Sequence, residues 1–237
     1  AVRAQDDNSL AGKILRVRKE DGTAAAGNPI SGNRLYSKGH RNPQGLAWHP
    51  ISGDLWSTEH GPTGGGGDAN DEVNLILPGG NYGWPKYYGN NLLNSNSWAQ
   101  SLSITTADVI LPKLSSGSST WAPAGCCFYS GTKLANEWKN KLLWTGLGFN
   151  TGDGKSIYRL PVTGGDFRSV GTLERKFQNT YGRLRDIVEG PDEFLYFSTS
   201  NRDGRGSPAS NDDRIIRIRA TVDSGGAYTT TIDDTGL

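Results

Sequence analysis

The sequence has no methionine, not even at position 1, and only two cysteines and three histidines in 237 residues. The missing initiator leads to the expectation of a processed or excised product, as a secreted or periplasmic protein would be. His40, His49 and His60 show no metal spacing, and without a Cys-x-x-Cys pair or a Cys/His cluster nothing supports a zinc site. His49, in a His-Pro turn, is expected at the plain surface. No apolar run approaches the ~20 residues that a membrane span requires. Neither sign of charge is in excess, with 25 basic and 24 acidic residues, so no nucleic-acid or membrane-surface partner is expected. A nucleophile elbow, a phosphate-binding loop and a dinucleotide glycine fingerprint are all missing from any strand-to-helix context.

What is present is glycine, at 33 residues, and tryptophan, at 7, the composition of a turn-rich all-β protein. Residues 39–85 give the pattern. A polar turn from Gly39 to Gly45 opens into Leu46-Ala47-Trp48. Asp54-Leu55-Trp56-Ser57-Thr58 follows and runs into Glu59-His60-Gly61-Pro62 and a glycine-rich loop. Asp71-Glu72-Val73-Asn74-Leu75-Ile76 then ends at Pro78-Gly79-Gly80. Short apolar runs punctuated by Gly and Pro predict an antiparallel meander.

The last of these runs recurs at Gly12–Val17, Lys155–Leu160 and Asp213–Ile218. Each later copy is preceded by two more strands, 185–189 with 194–199 and, more loosely, 126–131 with 141–145. One interval between copies is lengthened by an insertion at about 77–118, rich in Gly, Asn and Ser. A repeat of about four strands predicts a β-propeller of four-stranded antiparallel blades; a β-sandwich with chance similarity is the alternative. Residues 1–237 are thus expected to form a single propeller domain, incomplete at about three and a half to four blades. A missing segment or a second chain would complete the ring.

Functional residue types crowd the turns, where a rigid sheet can hold them. Arg41, Asn42 and Gln44 share one turn, and Arg183 and Arg185 occupy the equivalent turn of a later unit. Arginines converging on one channel would make a receptor for carboxylates or phosphates; pairing with acids such as Asp186 is the bland alternative. The Glu59–Pro62 loop, with Asp68, Asp71 and Glu72 nearby, offers hard oxygens suited to Ca²⁺, or is simply a solvated turn. Gly61 is expected to hold a backbone conformation that a Cβ would strain. The adjacent Cys126 and Cys127 are either two free thiols on opposite faces of a strand or a strained vicinal disulfide.

The motifs GHRNPQGLAWHP, LWSTEHGP, DEVNLI and GGNYGWP, with STWAPAG at 119–125 and GRLRDIVEGPDEFLYFSTSNRDGRG at 182–206, strongly resemble the soluble quinoprotein glucose/aldose sugar dehydrogenases (the glucose/sorbosone dehydrogenase family). The resemblance covers most of residues 10–218. It implies a six-bladed propeller holding pyrroloquinoline quinone (PQQ) and Ca²⁺ at the channel mouth. It further implies that Arg41, Asn42, Thr120, Arg183 and Arg185 contact PQQ. Gln44, His60 and Asp71 would line the substrate pocket, and the Gly61 and Pro62 carbonyls would ligate Ca²⁺. The family's catalytic histidine falls before residue 1, so no catalytic base is assigned here. A lysine that contacts PQQ in some members is replaced around Gly148, Phe149 and Asn150.

The resulting expectation is a PQQ- and Ca²⁺-dependent dehydrogenase that oxidises an aldose sugar at C1 to the lactone and passes electrons to an external acceptor. The alternatives are a non-catalytic propeller module binding a glycan or protein, and a relic propeller in an accessory protein.

Overall fold

The alternation of short apolar runs and Gly/Pro turns folds as antiparallel sheet, and the helices among the described residues are single turns. This computed structural model describes residues 1–62, 69–148, 154–222 and 228–233, with backbone alone from residue 221 onward. Strands β1 (Lys13–Leu15) and β2 (Leu35–Lys38) pair with each other. The predicted meander follows as β3 (Pro43–Trp48), β4 (Leu55–Glu59) and β5 (Glu72–Ile76). The insertion contains a hairpin, β6 (Tyr87–Tyr88) with β7 (Leu92–Leu93), and a helix at Ser97–Gln100. It closes with β8 (Leu114–Ser115), which returns to β5 and gives a four-stranded sheet in the order β3-β4-β5-β8.

The second sheet comprises β9 (Pro123–Phe128), β10 (Lys141–Gly146) and β11 (Ile157–Thr163). Its outer edge is shared by β12 (Ser169–Val170) and β13 (Glu174–Lys176), both paired with β11. The third sheet runs β14 (Leu184–Glu189), β15 (Leu195–Thr199), β16 (Ile215–Val222) and β17 (Tyr228–Asp233). The repeat read from sequence stops at Ile218, and residues after it supply this fourth strand.

The first strands β3, β9 and β14 lie side by side, so successive sheets pack face to face about a common centre, as in a propeller. Apolar layers fill the gaps. Trp56, Val73 and Leu75 of the first sheet meet Trp121, Leu142, Trp144, Tyr158 and Leu160. Leu143 and Ile157 meet Leu184, Ile187, Leu195, Phe197, Ile216 and Ile218 across the next gap. Successive residues of one strand point to opposite faces, which is why Leu142-Leu143-Trp144 reads as an unbroken apolar run: both faces of that sheet are covered. A Cβ on Gly45 would collide with Cys126 Sγ and the Ala124 carbonyl, so glycine lets β3 approach β9.

Candidate functional site

The first strands carry irregularities near the same end. In β3 the register against β4 moves from Pro43 opposite Glu59 to Gly45 opposite Thr58, leaving Gln44 as the extra residue. In β14 it moves from Leu184 opposite Thr199 to Asp186 opposite Ser198, leaving Arg185. Bulges re-aim side chains and are frequent beside functional sites. Two residues singled out from the sequence therefore occupy equivalent bulges of different sheets.

Arg41 and Asn42 lead into β3 on a turn fastened by Glu59. The Glu59 carboxylate accepts the backbone N–H of Arg41 and, at 3.0 Å, that of Asn42. Gln44 Nε2 donates to Asn42 Oδ1 at 2.9 Å. The half-buried Arg41 guanidinium lies 5.6 Å from the Trp84 ring centroid, and its Nη1 donates to the His60 carbonyl at 3.4 Å. His60 Nε2 is 2.7 Å from the Pro123 carbonyl and so carries the ring hydrogen. Burial lowers the His60 pKa; Asp71 and Pro123 oppose the shift, while the charges of Arg41 and Arg185 reinforce it. The imidazole is therefore held toward its neutral form, with Arg41 on the turn before β3 and Arg185 on β14 both acting in that direction.

Asp71, expected at the substrate, is buried with both oxygens on backbone N–H groups. Oδ1 accepts Gly61 N at 3.0 Å, and Oδ2 accepts Trp121 N and Ala122 N, each at 2.8 Å. It thus ties the Gly61–Pro62 segment to Thr120 and the entry of β9. Gly61 needs to be glycine for a different reason from the one expected. Its φ is not positive; a Cβ would run into the backbone of Ala69 and Asn70. Among the described residues no three His, Cys, Asp or Glu side chains are grouped to hold a metal ion, so a cation here would rest largely on main-chain carbonyls. Asp68, Phe149 and Asn150 lie outside the described residues.

Arg183 and Arg185 are bracketed by one carboxylate, and it is Asp203 rather than Asp186. Arg183 is buried. Its Nε (3.1 and 3.0 Å) and Nη2 (2.8 Å) donate to Asp203, and its Nη1 donates to the Leu147 and Gly148 carbonyls at 3.0 Å each. Nearly all its donors are committed. Arg185 is 44% exposed, reaching Asp203 Oδ2 and Ser200 Oγ at 3.2 Å each. Thr120, half-buried, sits beside this network: Gly148 N donates to Trp121 O at 3.1 Å and Leu147 N to Ala122 O at 3.0 Å.

Two further expectations are settled by burial. His49 is not at the surface but buried between Phe128 and Phe167. Its ring nitrogen closes the following turn, so the His-Pro dipeptide marks a packed corner. Cys126 and Cys127 are free thiols, Cys126 facing the layer between the first and second sheets and Cys127 the next layer. Sequence reasoning passed over Asp203 and over the pairing of His40 with Glu59. It also passed over the pairing of Glu59 directly opposite Glu72, where burial, and then Glu59, push Glu72 up to about 8. Two carboxylates facing each other on neighbouring buried strands were the available signal.

The fold and rim together define a β-propeller with a cationic, partly dry site where its first strands begin. The glucose/sorbosone dehydrogenase family model matches residues 1–217, and the chain belongs to that family. It is 33% identical over 212 residues to the aldose sugar dehydrogenase YliI of Escherichia coli, covering 85% of this chain and 51% of that protein. Among solved structures it is similar to the PQQ-bound aldose sugar dehydrogenase of Streptomyces coelicolor, with TM-score 0.67 and 31% identity over 97% of this chain and 55% of that one. It is also similar to a candidate oxidoreductase (glucose dehydrogenase) of Thermus thermophilus, with TM-score 0.70 and 39% identity over 91% and 57% of the two chains. The chain spans about half the length of the curated relatives it matches most fully.

Proposed function

We propose that this chain carries the cofactor-binding part of a quinoprotein sugar dehydrogenase that oxidises an aldose at C1 to the lactone and passes electrons to an external acceptor. The observation that supports this best is the Arg41 guanidinium, lying over Trp84 with Nη1 on the His60 carbonyl, together with the Arg183–Asp203–Arg185 cluster at the equivalent bulge of a later sheet. Cations held on a fastened turn and on a rigid strand, the first of them lying over an indole, suit a flat polycarboxylate. In this reading Arg41, Asn42, Thr120, Arg183 and Arg185 hold PQQ. Arg183 acts mainly by fixing Asp203 and the Leu147–Gly148 carbonyls. Gln44 and His60 face the sugar, and Asp71 orients the Gly61 and Pro62 carbonyls toward Ca²⁺. When bound, PQQ supplies the hydride acceptor and Ca²⁺ polarises it. A periplasmic or secreted location goes with this reading, and no described helix is long and apolar enough to cross a membrane.

The test is to titrate the chain with PQQ and CaCl₂ while following PQQ absorbance and dye-coupled aldose oxidation. Binding that a chelator abolishes and Ca²⁺ restores, with Mg²⁺ restoring it poorly because of its stricter octahedral geometry, is the expected result. Absorbance and rate indifferent to chelator would overturn the assignment. The commitment of Arg183 to Asp203 favours a second reading, a propeller module that binds a glycan or protein without chemistry. Under that reading PQQ does not bind at all.

A further inference from the structure

Beneath the Arg41–Asn42 turn lies a hydrogen-bonded array that the proposed chemistry does not use. His40 Nδ1 is 3.0 Å from Glu59 Oε2, and His40 Nε2 is 2.8 Å from Ser37 Oγ. The other Glu59 oxygen accepts the N–H groups of Arg41 and Asn42. The imidazole stacks on Tyr82 at 4.6 Å. The order of groups is that of an acyl-transfer triad, but Ser37 and His40 are only 0% and 1% exposed, so no substrate reaches the hydroxyl. The array has to act through what it holds.

What it holds are two consecutive backbone N–H groups, and with them the direction in which Arg41 and Asn42 leave the turn. We propose that Ser37, His40 and Glu59 form a buried positioning clamp that presents Arg41 and Asn42 to the cofactor carboxylates, an inference resting on the quinoprotein reading above. A carboxylate can only accept, so with Glu59 in that form Nδ1 of His40 carries the hydrogen, and in the neutral imidazole Ser37 then donates to Nε2. One carboxylate therefore serves three donors, and the imidazole, locked by Ser37 and Tyr82, stops the carboxylate from turning away. Preorganised groups of this kind spare a site the cost of ordering its ligands on binding.

The geometry makes a discriminating prediction about Glu59→Gln. The amide oxygen can accept both backbone N–H groups while its NH₂ donates to His40 Nδ1. His40 then carries its hydrogen on Nε2 and donates to Ser37 Oγ. The clamp survives with the tautomer reversed. Glu59→Ala has no such escape, and Glu59→Asp keeps the charge but withdraws it by one methylene.

The experiment combines amide hydrogen exchange and ¹⁵N spectra of the cofactor-free chain with PQQ titration. In E59A and E59D we expect faster exchange confined to Arg41 and Asn42, with β10 and β15 still protected. Affinity for PQQ should be about 10–100-fold weaker in E59A, the usual cost of losing a supporting shell. In E59Q we expect the parent's protection, affinity within about threefold of the parent, and a His40 ring hydrogen moved to Nε2. If E59A does not fold, E59D against E59Q decides the matter. Unchanged Arg41 and Asn42 exchange, or PQQ affinity equal to the parent's in both E59A and E59D, overturns the clamp alone. A parent chain that binds no PQQ overturns the quinoprotein reading and, with it, the clamp's role as a positioner.

Discussion

His49 Nδ1 faces the Ser52 N–H at 3.1 Å, the Ile51 N–H at 3.4 Å and the Ser52 hydroxyl at 3.3 Å, while Phe128 and Phe167 cover the ring. A proton on Nδ1 would set it against the Ile51 and Ser52 N–H groups as another donor, break the turn and place a charge in a buried site. Burial accordingly lowers its pKa, with Asp54 only partly opposing. The unfolded chain binds this proton more readily than the folded one, so the stability His49 contributes is present above the unfolded pKa of about 6.5 and is lost as pH falls below it. The urea midpoint should therefore drop between pH 7.5 and 5.5, and His49→Gln should flatten part of that drop. An identical pH dependence in the variant would show that His49 is not the titrating group. The two thiols obey the same physics with the opposite sign: burial pushes Cys126 up to about 12 and Cys127 higher still. Neither is a thiolate at neutral pH, so a thiol reagent should label these partly covered thiols far more slowly in the folded chain than in the unfolded one.

A strand buried on both faces is where the elements of this fold are most sensitive. Trp144 on β10 stacks on Tyr158 at 4.9 Å and tilts against Trp121 at 5.6 Å, filling the layer between the first two sheets, while its neighbour Leu143 fills the next. Trp144→Ala should cost about 3–5 kcal/mol, since neighbouring sheets cannot collapse into the space; chemical denaturation measures it. A loss below about 1 kcal/mol would mean the layer is not packed as described. Such strands were legible in the sequence because apolar runs of β-favouring residues between Gly and Pro signals leave little choice of element. The recurrence of one run identified the repeat. Outer strands were not legible: β8, β12 and β13 are two or three residues long and carry no periodicity. At the rim, Arg41, Asn42, Gln44 and Arg185 stood out because polar groups on a turn between apolar strands are conspicuous. Asp203 and the partners of Glu59 were hidden because partnership across separate strands or loops is a property of register. Local sequence does not display it.

At the scale of the whole molecule, the rim residues belong to one hydrogen-bonded belt crossing all three large sheets. Asp71 at the start of β5 holds Trp121 and Ala122, which bond through the backbone to Leu147 and Gly148. The Leu147 and Gly148 carbonyls receive Arg183, which meets Asp203, and Asp203 reaches Arg185. Apolar layers fix the distance between sheets but are non-directional; the belt fixes how the rims face one another. Asp71→Asn tests this, because it is nearly isosteric yet replaces one acceptor oxygen with an NH₂. Whichever way the amide turns, it confronts either the Gly61 N–H or the Trp121 and Ala122 N–H groups with another donor. Leaving such buried groups unpaired costs about 1–3 kcal/mol each, so even the cheaper orientation, with the Gly61 N–H alone unpaired, should lower the thermal midpoint by roughly 2–12 °C for a chain of this size. Exchange should quicken at Gly61 or at Trp121–Ala122. A D71N protein with the parent's midpoint and exchange pattern would mean the sheets are held in register by their apolar layers alone, and the belt would be a consequence of that packing rather than a cause.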